Sequence, residues 1–237
     1  MEEKIDPSTI DEIERMKYIF LNVIDVNIIK GELDHISDIH IVDVNRYNLL
    51  YWCWRLYNIK ENERELLLYL INRGIDINSY DHQKETLLIH TSRNGDFDTT
   101  KLLIENGADV NHFDNNSDTA LLWASYSNHL NIVKLLIDNG ADVNHLYCDG
   151  RNAIMWASKR GNLDIVEYLS ELTTDLTKKD NNGDDICSLS DNRTIKLFIL
   201  NLLEMNKIYM CSWIEKKYYD NELMEKNIIR EIFSHYI

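Results

Sequence analysis

Between Leu130 and Ile137 apolar side chains recur at three- and four-residue steps, with Ile132, Val133, Leu135 and Leu136 among them. That is the pattern of a helix burying a single stripe. A shorter run, Ala120-Leu121-Leu122-Trp123-Ala124-Ser125, precedes it. Thr119 is placed to cap this run, its side-chain oxygen accepting from an N–H left unpaired in the first turn. Asn128 separates the two helices. Gly140 ends the second, at the position past a helix end where a left-handed backbone strains any residue with a Cβ. Asp142-Val143-Asn144 then opens an extended turn.

The arrangement repeats. Gly140-Ala141-Asp142-Val143-Asn144 stands 33 residues after Gly107-Ala108-Asp109-Val110-Asn111, which stands 33 after Gly74-Ile75-Asp76-Ile77-Asn78. A further step back reaches Asp43-Val44-Asn45, and a step forward reaches the degraded Thr173-Thr174-Asp175-Leu176-Thr177. The same interval links Thr86, Thr119, Asn152 and Asp185. It links Asn62, Gly95, Asn128 and Gly161, then Ala124 with Ala157 and Trp123 with Trp156. One helix pair cannot bury both its faces, so the spacing predicts an all-α row of stacked helix-turn-helix units whose ends need polar outer sides.

These residues resemble the ankyrin repeat. Its pattern runs Asp-x-x-Gly-x-Thr-Pro-Leu-His-x-Ala, then Gly-His-Leu-x-x-Val, then Leu-Leu-x-x-Gly-Ala-Asp-Val-Asn. Asp114, Thr119, Leu121, Ala124, Leu130, Val133, Leu135, Leu136 and residues 140–144 match in one unit. Gly150, Ile154, Ala157, Gly161, Leu163, Val166 and Leu169 match in the next. Asp81, Thr86, Leu88, Gly95, Leu102, Leu103 and residues 107–111 match in the one before. The match is strong over 79–177 and weaker over 46–78 and 178–209. The helix-starting proline is missing, with Leu87, Ala120 and Ala153 in its place; its absence predicts modestly looser units, since proline there presets φ without losing a needed donor. The first unit is irregular. Asn48-Leu49-Leu50-Tyr51-Trp52-Cys53 reads as a helix start five residues early, leaving residues 57–64 as a longer inter-helix loop.

The resemblance implies an ankyrin-repeat solenoid with helical caps. An N-terminal cap covers 1–45, repeats cover 46–78, 79–111, 112–144 and 145–177, a degenerate repeat covers 178–209, and a C-terminal cap covers 210–237. Asp6-Pro7 is the expected opening of the first cap, with Ile10, Ile13, Phe20 and Ile24 as its inward stripe. The closing helices run from Tyr209 through Trp213, Leu223, Ile228, Ile229, Ile232 and Phe233. Some ankyrin proteins carry ubiquitin-ligase recruiting boxes at this end. The tail lacks their Leu-Pro or Leu-Cys signatures, so a substrate-adaptor role stands as the alternative to capping.

Charge and chemistry narrow the function. Lys plus Arg is 25 against 40 Asp plus Glu, a net charge of −15, which argues against affinity built on phosphate contacts and hence against nucleic acid. The N-terminus is acidic, and the longest apolar stretches, 66–71 and 197–203, fall far short of the roughly 20 residues of a membrane span. Cys53, Cys148, Cys187 and Cys211 form no Cys-x-x-Cys pair, as expected of reduced thiols in a cytoplasmic protein. No phosphate-cradling glycine pattern, Gly-x-Ser-x-Gly elbow or His-Glu-x-x-His occurs, so no catalytic, cofactor-binding or metal residue is expected. His112 and His145 occupy equivalent positions about 8–10 Å apart across stacked units, too far to share a zinc ion unless both lean together. Asp109 and Asp142 read as turn acids rather than a catalytic pair. An enzyme or metal protein with an unrecognised site is the remaining alternative.

What the resemblance implies instead is a non-catalytic module that binds another protein through finger tips and the inward face of the first helices; the chain is expected to be monomeric. Carried onto this chain, that surface is His82, Gln83, Glu85, Arg93 and Asn94, then Asn115, Asn116, Asp118, Tyr126 and Ser127, then Cys148, Asp149, Arg151, Lys159 and Arg160. Trp123 and Trp156, read as stacking along the first-helix face, are the natural anchors. The charge along the strip is expected to pass from mixed through acidic to basic at Arg151, Lys159 and Arg160. The low-proline, Ile/Asn-rich style is similar to ankyrin proteins of large DNA viruses and intracellular bacteria, which implies a host-directed factor.

Overall fold

The structure, a computed structural model, describes residues 7–204 apart from 24, 37, 57–59 and 174. Twelve helices occur among these residues. They are α1 Pro7–Asn22, α2 Val26–Asp34, α3 Leu49–Leu56, α4 Lys60–Asn72, α5 Leu87–Asn94, α6 Phe97–Glu105, α7 Ala120–Tyr126, α8 Leu130–Asp138, α9 Ala153–Arg160, α10 Leu163–Ser170, α11 Ile186–Leu189 and α12 over 193–204. They form an all-α solenoid of helix pairs. First helices pack on first helices, α1 on α3, α5 on α7, α7 on α9 and α9 on α11, while α2 packs on α4, α6 on α8 and α8 on α10. A single apolar core runs along the row, through Phe20, Leu50, Leu66, Leu88, Leu103, Leu121, Val133, Ile154, Val166 and Ile195.

Local chemistry sets the helix ends. Thr119 accepts from Leu122 N at 3.3 Å, Asn152 from Met155 N at 3.2 Å and Asp185 from Ser188 N at 2.8 Å. Asn48 accepts from Tyr51 N at 3.0 Å, which fixes the early start of α3. Gly140 follows the C-cap Asn139 with φ at +89°, the left-handed backbone that a residue without Cβ adopts most readily.

Between units the chain makes fingers, four of them anchored by an aspartate, whereas the finger before α9 has Tyr147 at that position. Asp81 Oδ1 accepts from Gln83 N and Glu85 N at 2.8 and 2.9 Å, and Asp114 Oδ1 from Asn116 N and Asp118 N at 2.8 Å each. Asp180 Oδ1 does the same with Asn182 N and Asp184 N at 2.9 Å each. Asp43 repeats the motif with Asn45 N and Tyr47 N at 2.9 and 3.0 Å. Asp43 is therefore the counterpart of Asp81, not of Asp76 as the uniform interval suggested; the early start of α3 shifts the register.

A second correction concerns residues 57–64. The helix α4 already begins at Lys60, because Lys60-Glu61-Asn62-Glu63-Arg64 is rich in strong helix formers that repeat positions alone do not reveal. At the N-terminus, α1 begins at Pro7 and turns Ile13, Met16 and Phe20 inward. Asp6, the side chain of Ile10, Ile24 and the expected cap over 210–237 lie outside the described residues. Cys53, Cys148 and Cys187 are free thiols. No described helix is long and apolar enough to cross a membrane.

Candidate functional site

Each first helix from α3 to α9 carries one aromatic ring four residues after its cap: Trp52, His90, Trp123 and Trp156. In α3 the indole N–H donates to the finger acid of the same unit, Trp52 Nε1 to Asp43 Oδ2 at 3.1 Å. In α5, His90 Nε2 stands 3.6 Å from Asp81 Oδ2 and 3.5 Å from Glu85 Oε2, beyond hydrogen-bond length. In α7 and α9 the indole N–H groups of Trp123 and Trp156 are buried without a partner.

Tyr126 lies between these two tryptophans, meeting Trp123 at 5.7 Å and Trp156 at 5.5 Å, both edge-on. The two indoles thus interleave with Tyr126 instead of stacking on each other. Edge-to-face contact satisfies the ring quadrupoles at this separation. Tyr147, from the following finger, meets Trp156 at 5.9 Å. With Asp118, Leu122, Lys159 and Arg160 these rings line an open cleft of about 380 Å³.

The charges around the cleft are not arranged as the sequence suggested. Both terminal nitrogens of Arg93 hold the Glu85 carboxylate, and the guanidinium centre lies 3.7 Å above the Trp123 ring, a cation–π contact. Arg151 is buried: its Nε and Nη2 both reach Asp180 Oδ2 at 2.8 Å, and Nη1 reaches Asp149 Oδ2 at 3.0 Å. It leaves the expected basic end because the residue at this register, like Glu85 and Asp118, turns inward beneath its finger. Asp118 is buried as well. Burial first, and the neighbouring Asp114 charge second, push its pKa up to about 7; Glu85 and Asp149 add to the rise and Arg93 opposes it. Lys159 and Arg160 remain exposed at the end of α9, above Trp156 at 4.8 Å and Tyr126 at 4.5 Å.

At the finger tips, His82 Nε2 bonds Val44 O at 2.7 Å, Asn115 Nδ2 donates to His82 O at 3.0 Å, and Asn115 N to Gln83 O at 2.9 Å. Cys148 N continues this linkage to Asn116 O at 3.3 Å. Gln83, Asn94, Asn116 and Cys148 are exposed, while Ser127 and Asp149 are half-buried. His112 and His145 each tie their turn to a neighbouring finger, through Lys84 O at 2.8 Å and Ser117 O at 3.0 Å. Sequence reasoning missed Tyr80 and Phe113, which are 40% and 51% exposed and sandwich the His112 ring at 5.8 and 6.5 Å. Their separation of 33 residues was the available signal.

One group among the described residues could hold a metal ion: Asp81, Glu85 and His90 offer ligand atoms within 4.8 Å of one another. Burial lowers the His90 pKa, keeping it neutral as a ligand must be. The Glu85 carboxylate is already held by Arg93, however, so a dication there would sit against a guanidinium. This arrangement suits a packed polar cluster better than a metal centre.

Among known proteins, the family described as ankyrin repeats (three copies) matches residues 50–147, and the family described as ankyrin repeat matches 149–181. No curated protein matches the chain. The helices α1, α2 and α11 fall outside the matched spans and pack on α3, α4 and α9 in turn, and Ile195 and Ile199 of α12 join the same core. Stacked helix pairs, aspartate-anchored fingers and these two matches agree: the chain belongs to the ankyrin-repeat family.

Proposed function

We propose that the chain is a non-catalytic module that holds another protein along its first helices and fingers, centred on the cleft between α7 and α9. Ankyrin repeats generally mediate protein–protein interaction and are typically non-catalytic. The observation that carries the reading is the half-exposed Trp123–Tyr126–Trp156 row around an open cleft, since aromatic anchors in such hollows supply much of an interface's energy. Gln83, Asn94, Asn116, Ser127, Cys148 and Asp149 would border the contact. Glu85 and Arg93 brace Trp123 from one side, whereas Asp118 and Arg151 support the surface from within.

Affinity purification of the full chain from cells tests this. A protein captured by the wild type is expected to be lost with Trp123→Ala and weakened with Arg160→Glu, while both variants keep the helical circular-dichroism spectrum. Capture of the same proteins by both variants would overturn the reading.

A further inference from the structure

The ionisable groups along the strip, taken one at a time, leave an excess of one sign. Arg93 is consumed by Glu85. Arg151 is consumed by Asp149 and Asp180, and His82 by Val44 O. The carboxylate of Asp118 lies at the cleft floor, buried. Lys159 and Arg160 stand exposed on the rim, forming no ion pair among the described residues. They belong to the last turn of α9, where a basic residue also suits the helix dipole. The equivalent basic residue of α5, Arg93, has an acid of its own; these two do not. A positive rim over aromatic walls therefore stands out on a chain whose net charge is −15.

We propose that the α7–α9 cleft takes an acidic side chain of a partner peptide together with an adjacent apolar one, the carboxylate held by Lys159 and Arg160 and the apolar group packed on Trp123, Tyr126 and Trp156. This rests on the binding role proposed above and adds the chemistry of the partner. A basic guest meets the like charge of the two rim cations and is repelled. An acidic guest gains their charge in a setting partly screened from water, where electrostatic complementarity sets both specificity and encounter rate. A volume of about 380 Å³ lies in the range of small-ligand pockets, enough for one large side chain and its neighbour.

The floor adds a pH signature. Asp118 is faced by Asp114 of its own finger, by Glu85 and Arg93 of the preceding unit and by Tyr147 and Asp149 of the next finger, and it shares the cleft with Lys159 and Arg160. It gains a proton near neutrality. The protonated carboxyl leaves the cleft free of negative charge, and the ionised one repels an incoming carboxylate. Acidic-peptide binding should therefore weaken between pH 6 and pH 8, and Asp118→Asn should remove that dependence.

The test uses the purified full chain and a fluorescein-labelled synthetic decapeptide with one central Phe flanked by Asp and Glu. A second peptide has Lys in place of every acid. The acidic peptide is expected to bind with micromolar affinity, to weaken about tenfold or more in the Lys159→Glu, Arg160→Glu double variant, and to be unaffected by Lys101→Glu on α6. The basic peptide is expected not to bind. Equal binding of both peptides, indifference to the double variant, or no acidic-peptide binding at millimolar concentration would overturn the proposal. A cellular partner still captured through Trp123 in that event would leave the binding role standing, whereas loss of both would remove it too.

Discussion

At the scale of single residues, two glycines separate conformational strain from steric contact. Gly140 and Gly95 both have positive φ, +89° and +78°. A Cβ at Gly140 would meet open space, but one at Gly95 would lie 2.4 Å from the His129 ring. Gly140→Ala should therefore cost about 1–2 kcal/mol, the left-handed penalty alone. Gly140→Val should cost more because of its β-branch, and Gly95→Ala should exceed Gly140→Ala by about 1 kcal/mol or more through overpacking. Urea titrations that give equal losses for the two alanine variants would show that the His129 ring moves aside freely. Asp118 gives a second test. Its folded pKa of about 7 lies above an unfolded value of about 3.9, so the folded state binds the extra proton between those values and loses stability as pH rises through them. Asp118→Asn should raise the melting temperature at pH 8 and change it little at pH 4; an equal gain at both would refute the assignment. Spacing located Trp123, Lys159 and Arg160, but it did not show that Arg151 is internal. A faint signal existed: the register reads Glu85, Asp118, Arg151, Asp184, and a base in a column of acids asks for a partner such as Asp180.

Elements were legible wherever repetition and local chemistry coincide. The caps Thr119, Asn152 and Asp185 and the glycine stops mark helix ends that the structure reproduces. The start of α4 was illegible from the repeat because it depends on helix propensity at positions the motif leaves free. Contacts between elements were illegible too, since a repeat fixes which helices touch but not which polar groups bind across the join. Arg151 shows the consequence: it leaves the finger before α9 and fastens onto Asp180 of the finger before α11. Arg151→Ala should lower the melting temperature clearly more than Arg160→Ala, because it leaves a buried carboxylate without its cation. Arg151→Lys should rescue this only partly, since an ammonium cannot reproduce the planar fork. Equal melting temperatures for the two alanine variants would show that the finger-to-finger ion pair contributes nothing to the stack.

For the whole molecule, the order of unfolding depends on where the row is weakest. A linear stack is stabilised by each unit and by each interface between neighbours, so unfolding starts at the interface that buries least apolar surface. The backbones of α3 and α5 approach less closely than those of α5 and α7 or of α7 and α9. Much of what crosses that join is polar: Trp54 Nε1 donates to Asp96 Oδ2 at 2.8 Å, Thr99 Oγ1 to Glu63 Oε1 at 3.1 Å, and Arg64 stands 3.8 Å from Glu105. A hollow of about 70 Å³ opens there, lined by Glu63, Arg64, Asp96, Asp98, Thr99 and Leu102. Aromatic contacts such as Tyr51 with His90, at 5.0 Å, bridge the first-helix side. Helices α1 to α4 should therefore open as a group ahead of α5 to α9, leaving the cleft intact on the more stable part. Native-state hydrogen exchange should show lower protection for α3 and α4 than for α7 and α9. Trp54→Phe, which removes the indole donor and leaves Asp96 with one bond fewer, should widen that difference by lowering α3 and α4 alone. Uniform protection along the row, or a uniform fall on this substitution, would mean that the interfaces are energetically equal and that the irregular start of α3 has no mechanical consequence.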